Sequence, residues 1–126
     1  MEKSCGAIII NDNKVLMVKQ RNGVVGFPKG HMEKGETEVE TALREIKEET
    51  NLDVKIDESK RFENSYIMDN GIKKEVVFFL ASPINDELIK QDCEIEKLKW
   101  VDIDKVLDTL TYDDLKELFK KALKEI

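Results

Sequence analysis

The chain has 126 residues, of which 40% are hydrophobic, and a formal net charge of −6 at pH 7. This size and apolar content predict one domain, residues 1–126, with a core that needs no disulfide bond. The acidic charge argues against a protein that coats DNA or RNA nonspecifically, because such binding depends on basic groups that neutralise phosphates. We therefore expect no stable nucleic-acid partner. Since the sequence shows no secretory signal and no bilayer-length apolar run, we also expect a cytoplasmic protein without membrane association.

The first predicted elements form a β-hairpin. Ser4 to Ile10 and Val15 to Gln20 are rich in strand-forming residues, and Asn11-Asp12-Asn13 between them has the composition of a tight turn. Two glycines, Gly23 and Gly26, then introduce a segment that we predict to be a loop as far as residue 37.

An amphipathic helix is predicted to begin at Thr37. Thr37 and Glu40 have the spacing of a capping box, in which each side chain binds the other residue's backbone N–H. Asn51 stands where a residue in the left-handed conformation commonly ends a helix. The apolar positions predicted to share one face are Val39, Ala42, Leu43 and Ile46.

Three glutamates, Glu45, Glu48 and Glu49, share a neighbouring face of this helix, because residues three and four apart lie one above the other. Like charges at this spacing destabilise a helix by about 0.2–0.5 kcal/mol per pair, a cost that a bound cation would reverse. Glutamate is also a good helix former on a solvated face. The cluster alone therefore fits both a cation site and an ordinary wet surface.

The middle of the chain is predicted to be β-structure. Asp53 to Ile56 and Arg61 to Met68 have strand composition, Asp69-Asn70-Gly71 indicates a tight hairpin turn, and Lys73 to Ala81 is the returning strand. The continuous apolar run over residues 76–80 favours a strand that is covered on both faces and central to the core.

The last third of the chain is predicted to contain a loop over Asn85 to Cys93, a strand over Lys97 to Val101, and an amphipathic helix that opens at Thr111. The apolar positions of this helix, which we expect to pack on the sheet, are Leu115, Leu118, Phe119, Ala122, Leu123 and Ile126. Cys5 and Cys93 have no metal-binding spacing and are expected to be reduced, small hydrophobic residues.

The segment from Gly30 to Leu52 resembles the signature of the Nudix hydrolases, G-x5-E-x7-R-E-U-x-E-E-x-G-U, in which U is aliphatic. The matching residues are Gly30, Glu36, Arg44, Glu45, Ile46, Glu48, Glu49 and Leu52. Asn51 replaces the final glycine, and asparagine tolerates the left-handed conformation. With strands flanked by helices on two sides, the resemblance implies an α/β protein, a Nudix-type α/β/α sandwich with a mixed central sheet.

The resemblance also implies a metal site. Its ligands would be the Gly30 carbonyl and the carboxylates of Glu45, Glu48, Glu49 and Glu94. Mg²⁺ is the expected ion, with Mn²⁺ as an alternative, because hard cations take oxygen ligands. Glu96 is the rival of Glu94. Glu45 is the first choice for orienting or deprotonating the attacking water and Glu48 the second catalytic candidate, whereas Glu36 and Arg44 resemble an internal ion pair with a structural role.

The segment from Val25 to His31 is similar to the WGFPKGH sequence of Nudix enzymes that cleave dinucleoside polyphosphates, with Val25 in place of tryptophan. Glu94 precedes Trp100 by six residues, as the metal-binding glutamate of those enzymes does. The resemblance implies a small-molecule nucleotide substrate, first of all diadenosine tetraphosphate. The residues expected to contact its phosphates are Lys29, His31 and either Lys73 or Lys74, and those expected to stack on adenine are Tyr66 and Tyr112.

Other interpretations stay open. The chain could cleave nucleoside triphosphates or RNA 5′ ends, or it could be a regulator that binds nucleotides without cleaving them. The intact glutamate set argues against the regulator. Tyr66 and Tyr112 also suit plain packing, Lys73 suits a solvated strand end, and His31 suits a surface loop.

Overall fold

The structure, a computed structural model, describes residues 2–90 and 94–126. The strands in this part of the chain are β1 (Glu2–Asn11), β2 (Lys14–Gln20), β3 (Val25–Gly26), β4 (Lys29–His31), β5 (Val54–Ile67), β6 (Lys73–Pro83) and β7 (Ile95–Asp102). The helices are α1 (Glu38–Thr50), α2 (Val106–Thr109) and α3 (Asp113–Leu123), with one 3-10 turn, Ile103–Lys105, before α2.

The predicted hairpin joins β1 to β2 through a two-residue turn. Ile10 pairs with Val15, and the turn residues Asp12 and Asn13 have φ values of 51° and 62°. Positive φ at both central positions is typical of the type I′ turn, and aspartate and asparagine tolerate it better than most residues. Beyond the turn the two strands diverge, so the hairpin connects two parts of one sheet.

The sheet is mixed, as predicted. β1 runs parallel to β6 and antiparallel to β4, while β6 pairs antiparallel with β5. On the other side of the hairpin, β2 pairs antiparallel with β3 and with β7. β1 thus lies at the centre of the sheet and carries β4, the strand that enters the site.

Helices cover both faces of the sheet, which confirms the predicted α/β/α sandwich. Alternate residues of β6 divide between two cores: Phe78 packs with Phe119 of α3, while Val77 and Phe79 pack with Ile46 of α1. All five side chains are nearly inaccessible to solvent. The prediction that the strand following the Gly71 turn is buried on both faces is confirmed.

Several predicted boundaries are wrong. The two strands expected at 53–56 and 61–68 are one strand, β5, with a shift in pairing register between Asp57 and Arg61. The loop expected before Thr37 contains β3 and β4. On the helices, Leu43 of α1 is 39% exposed and Ile126 lies beyond α3 and is 53% exposed, so neither is a core residue.

Cys5 is buried in the core on the α1 side of the sheet, as expected of a small hydrophobic residue. Burial raises the pKa of its thiol to about 11. Cys93 and the end of the loop predicted over Asn85 to Cys93 lie outside the described residues. Within the described ranges, no helix combines the length and the apolarity needed to cross a bilayer.

Candidate active site

Helix α1 is fixed at both ends by the residues that the sequence singles out. The Thr37 hydroxyl accepts a hydrogen bond from the Glu40 N–H at 3.1 Å, and the Glu40 carboxylate accepts one from the Thr37 N–H at 2.9 Å. At the other end Asn51 has φ 68°, and its N–H donates to the Lys47 carbonyl at 3.0 Å. These caps provide hydrogen-bond partners for backbone groups at the helix ends that have none within the helix. They stabilise the helical conformation that places the glutamates three and four residues apart on one face.

Glu36 and Arg44 form the ion pair that the resemblance implies. Arg44 donates from Nε to one carboxylate oxygen of Glu36 at 2.7 Å and from a terminal nitrogen to the other at 3.0 Å. Glu36 also accepts from the Glu33 N–H and the Thr41 hydroxyl. The Arg44 guanidinium and these donors lower the pKa of Glu36 to about 2. The loop before α1 is therefore tied to the helix by a charged, bidentate contact.

Arg44 also reaches the glutamates of the proposed metal site. Its second terminal nitrogen lies 2.8 Å from Glu45 and 3.3 Å from Glu48, and the guanidinium donates to the His31 carbonyl at 2.9 Å. Sequence reasoning missed these contacts and assigned Arg44 to Glu36 alone. Arg44 thus orients carboxylates of the site as well as stabilising the loop.

Strand β4 receives two of the carboxylates. Gly30 pairs with Cys5 of β1, and the position that a Cβ atom would occupy on Gly30 is filled by the carboxylate of Glu45. One residue earlier, the Lys29 N–H donates to Glu49 at 3.0 Å. Glycine at position 30 is therefore required by close approach of a side chain.

The donor set fits a hard divalent cation. It consists of carboxylate oxygens beside a backbone carbonyl, with no sulfur or imidazole nitrogen, which is the chemistry that Mg²⁺ and Mn²⁺ accept. In the described residues no three acidic, histidine or cysteine side chains converge at metal-binding distance. Glu45 instead pairs with Arg44, and Glu48 is exposed over 58% of its side chain. The ligand assignment over Gly30, Glu45, Glu48, Glu49 and Glu94 stays a prediction.

Glu94 is the residue immediately before β7. It lines a shallow groove with Gln20, Arg21 and Asn22, and its backbone carbonyl accepts a hydrogen bond from the Arg21 N–H at 2.9 Å. Its rival, Glu96, pairs with Lys19 at 3.4 Å. The structure places Glu94 at the start of β7, beside the end of β2.

A cleft of about 390 Å³ opens between the sheet and the start of α3. The structure brings three of the predicted substrate-binding residues together in it, Lys29, Tyr66 and Tyr112. Both rings are partly exposed, Tyr66 over 44% and Tyr112 over 53% of their surface. The remaining lining residues are Asn64, Val76, Asp114 and Leu115. The cleft is therefore amphipathic, and its aromatic surface shares Lys29 with β4, the strand that contacts Glu45 and Glu49 of α1.

Strand register decides between the two candidate lysines. Tyr66 of β5 pairs with Lys74 of β6, and alternate side chains of a strand point to the same face. Lys74 therefore shares the cleft face with Val76, and Lys73 lies on the opposite face. The structure thus favours Lys74 over the predicted Lys73.

His31 also lies outside the cleft. It is exposed and lines a separate groove with Lys3, Glu33 and Glu36. Sequence reasoning further missed Asn64 and Asp114. Their signal is spacing, because each lies two residues from a tyrosine of the cleft.

The Lys29 side chain is partly buried in the cleft wall. Burial, and then the positive charge of Lys74, lower its pKa, while the carboxylates of Glu49 and Glu45 act in the opposite direction. Lys29 thus connects the cleft to the glutamates. Its backbone N–H binds Glu49, while the residue lines the cleft and its charge interacts with the carboxylates of Glu49 and Glu45.

Comparison with known proteins gives consistent matches over nearly the whole chain. A family model described as the NUDIX domain matches residues 2–122. The chain is 34% identical to Nudix hydrolase 6 of Arabidopsis thaliana, covering 91% of this chain and 44% of that protein. It is 29% identical to the Sus scrofa protein named bis(5′-nucleosyl)-tetraphosphatase [asymmetrical], covering 95% and 92%. The chain spans less than half the length of the Arabidopsis relatives that it matches.

The fold is also that of a solved relative. The crystal structure of a C. elegans Ap4A hydrolase binary complex superimposes with a TM-score of 0.87 at 25% sequence identity, covering 99% of this chain and 97% of that one. The superposition extends beyond the segment from Gly30 to Leu52 and includes the sheet and the helix that frame the cleft.

Proposed function

The chain belongs to the Nudix family, as its signature residues predict, and we propose that it hydrolyses a phosphoanhydride bond in a substrate that contains a nucleoside diphosphate. Diadenosine tetraphosphate or a related dinucleoside polyphosphate is the substrate that the site suits best. One observation carries this proposal: Lys29 lines a cleft with two tyrosines, and its backbone N–H donates to Glu49, which with Glu45 and Glu48 forms the carboxylate cluster of α1. A nucleoside in the cleft would place its phosphates directly at the glutamates.

The residues that would hold a divalent cation are Glu45, Glu48, Glu49 and Glu94 with the Gly30 carbonyl. The bound ion, Mg²⁺ or Mn²⁺, would neutralise charge on the phosphoryl oxygens and make the attacking water more acidic. Glu45 would take the proton of that water as its oxygen bonds to phosphorus and the anhydride P–O bond breaks. Arg44 holds the Glu45 carboxylate at 2.8 Å, which fixes its orientation for this step.

The two tyrosines suit a nucleobase. Tyr66 on β5 and Tyr112 before α3 line the cleft from two different elements, and aromatic rings bind a flat base by stacking. Thr111 exchanges two hydrogen bonds with Val25, at 2.8 and 3.2 Å, which anchors the segment that carries Tyr112. The wall is therefore set in position before a substrate arrives.

A long phosphate chain would meet basic side chains outside the carboxylate cluster. Lys74 lies close enough to Lys29 for its charge to contribute to the lowered pKa of Lys29, so the two lysines place basic groups together in an acidic protein. A dinucleoside polyphosphate carries more phosphate groups past the glutamates than a mononucleotide does. Similarity to the Sus scrofa tetraphosphatase and to the C. elegans Ap4A hydrolase supports this choice of substrate.

The test is a substrate panel at equal concentration with Mg²⁺, and separately with Mn²⁺. It compares diadenosine tetraphosphate, ATP and a 5′-triphosphorylated RNA, with products separated by anion exchange. We expect the dinucleotide to have the highest kcat/KM and Glu49→Gln to lower it on the order of 100-fold, since one charge that stabilises the transition state is lost. Preference for ATP or RNA would overturn the substrate assignment, and binding without metal-dependent turnover would identify a regulator.

The matched control for Glu49→Gln is Glu40→Gln, on the same helix but outside the cluster. Glu40 accepts a hydrogen bond from the Thr37 N–H in the capping box, a contact that glutamine can also make. Glu40→Gln is therefore expected to retain turnover within a few-fold of the parent. An equal loss in the two variants would assign the effect to the helix and not to the carboxylate cluster.

A further inference from the structure

The tyrosine cleft contains two polar side chains that phosphate binding and base stacking leave without a role. Asn64 lies on β5 two residues before Tyr66, and Asp114 lies in the first turn of α3 two residues after Tyr112. Each polar group therefore accompanies one aromatic ring, one pair on β5 and the other at the start of α3, in the same cleft.

Asp114 has acceptor capacity to spare. One of its carboxylate oxygens accepts the Leu115 N–H at 2.9 Å, a contact that suits an acidic residue at the start of a helix. An ionised carboxylate has two oxygens and about four lone-pair sites and no donor. The second oxygen is thus available at the exposed mouth of the cleft. Asp114 and Tyr66 line the same cleft, and the pKa of Tyr66 is raised by burial and then by the charge of Asp114.

Asn64 offers the complementary chemistry. It pairs with Val76 in the sheet, and both side chains line the cleft. An amide can donate as well as accept hydrogen bonds. A base held between the walls therefore meets an acceptor on one side and a donor on the other.

We propose that Asp114 and Asn64 read the edge of the nucleobase, with Asp114 accepting a hydrogen bond from an exocyclic amine and Asn64 donating to the neighbouring ring nitrogen. This inference rests on the proposed function, since it assumes that a nucleoside occupies the cleft. Adenine has this edge, an amine beside a ring nitrogen that accepts. The site therefore selects adenine nucleotides over hypoxanthine nucleotides.

Hypoxanthine is the sharpest comparison because it differs from adenine at this edge and keeps nearly the same size and aromatic surface. Its exocyclic oxygen would face the Asp114 carboxylate, so two acceptors would oppose each other without a proton between them. Loss of a hydrogen bond to a charged acceptor such as the Asp114 carboxylate is expected to discriminate between the bases by roughly tenfold or more. Stacking on Tyr66 and Tyr112 would contribute equally to both bases.

The experiment measures kcat/KM for diadenosine and diinosine tetraphosphate with the parent, Asp114→Asn and Asp113→Asn. Asp113 is the matched control, because it precedes Asp114 in α3 and its side chain is 98% exposed. We expect the parent and Asp113→Asn to prefer the adenine substrate by roughly tenfold or more. In Asp114→Asn the preference should fall to about threefold or less, because the new amide can donate to the hypoxanthine oxygen.

Binding of ADP and IDP, measured by calorimetry on the same three proteins, keeps the two proposals separate. Selective binding of ADP that depends on Asp114 supports the inference even if no dinucleotide is cleaved, in which case only the proposed function fails. Equal kcat/KM for the two dinucleotides in the parent, or an unchanged preference in Asp114→Asn, overturns the inference while the hydrolase activity stands. Thermal melting of each variant checks that α3 remains folded.

Discussion

Arg44 donates two hydrogen bonds to the carboxylate of Glu36, at 2.7 and 3.0 Å, and uses its remaining terminal nitrogen to hold Glu45 at 2.8 Å. One guanidinium therefore links the loop after β4 to a carboxylate that we assign to catalysis. A bidentate contact fixes the plane of the guanidinium, so the direction in which it meets Glu45 is fixed as well.

Arg44→Ala is expected to lower both stability and turnover. The change leaves the part-buried Glu36 without its ion-pair partner and releases Glu45 from its fixed orientation. Arg44→Lys keeps the charge but cannot reproduce the planar contact, so it should recover part of the stability and little of the activity. The measurements are the midpoint of urea unfolding and kcat. A variant that unfolds at a lower urea concentration with kcat unchanged would restrict Arg44 to a structural role.

Gly30→Ala is expected to inactivate the protein with only a moderate loss of stability. The added methyl group would occupy the position of the Glu45 carboxylate and push it aside. Gly26→Ala is the control, since its new Cβ would lie 3.4 Å from Leu115, an ordinary contact. The combined variant Gly30→Ala with Glu45→Ser should unfold at a higher urea concentration than additivity predicts, because the smaller side chain removes the overlap. Strict additivity would contradict the contact.

Lys29→Met is expected to reduce kcat/KM for diadenosine tetraphosphate more than for ATP. Lys29 lines the cleft beside the tyrosines, and a contact that serves one substrate more than another changes the ratio of specificity constants. Lys34→Met, which removes an exposed lysine from the groove that contains His31, is the control and should leave the ratio as it is. Equal losses on the two substrates would show that Lys29 serves the phosphates common to both.

Glu38→Gln is expected to lower the free energy of unfolding at pH 7 by up to about 1 kcal/mol, in the range of partly exposed ion pairs. Arg61 donates to both oxygens of Glu38, at 2.7 and 2.8 Å, and Lys3 forms a further ion pair with it. These cations lower the pKa of Glu38 to about 2. A carboxylate with a depressed pKa stabilises the fold above its ordinary pKa and loses that effect as the pH falls toward 2.

The parent and Glu38→Gln should therefore differ in urea unfolding at pH 7 and converge near pH 2. Lys60→Met, which breaks only the pair between Lys60 and Glu125, is the control with a smaller expected effect. A difference that persists unchanged at pH 2 would show that the ion pair is not its source.

Local signals in the sequence were sufficient for α1 and for the signature residues. The capping box, the left-handed Asn51 and the glutamate spacing depend only on neighbouring residues, and each is present in the structure. The sequence does not show in the same way that Arg44 also reaches the His31 carbonyl, because this contact depends on the path of the preceding loop.

Nonlocal pairing explains the remaining errors. β4 has three residues and no strand pattern of its own, and it exists because Gly30 and its neighbours pair with β1. The choice of Lys74 over Lys73 required the register of β5 against β6. In β5, the polar run around Ser59 resembles a turn, and Asp57 accepts hydrogen bonds from the backbone N–H and the hydroxyl of Ser59. The structure accommodates this irregularity as a register shift within one strand, whereas the sequence pattern predicts a break between two strands there.

The buried thiol of Cys5 gives every variant above an internal label for opening of the fold. Cys5 has no solvent-exposed surface, and its raised pKa keeps it protonated at neutral pH, so an alkylating reagent can attack only after β1 detaches from its neighbours. In a background that carries Cys93→Ser, the labelling rate measured by mass spectrometry reports how often the strand beside Gly30 opens. A folded but inactive variant would then label slowly and an unfolded one rapidly, in a measurement that requires no substrate.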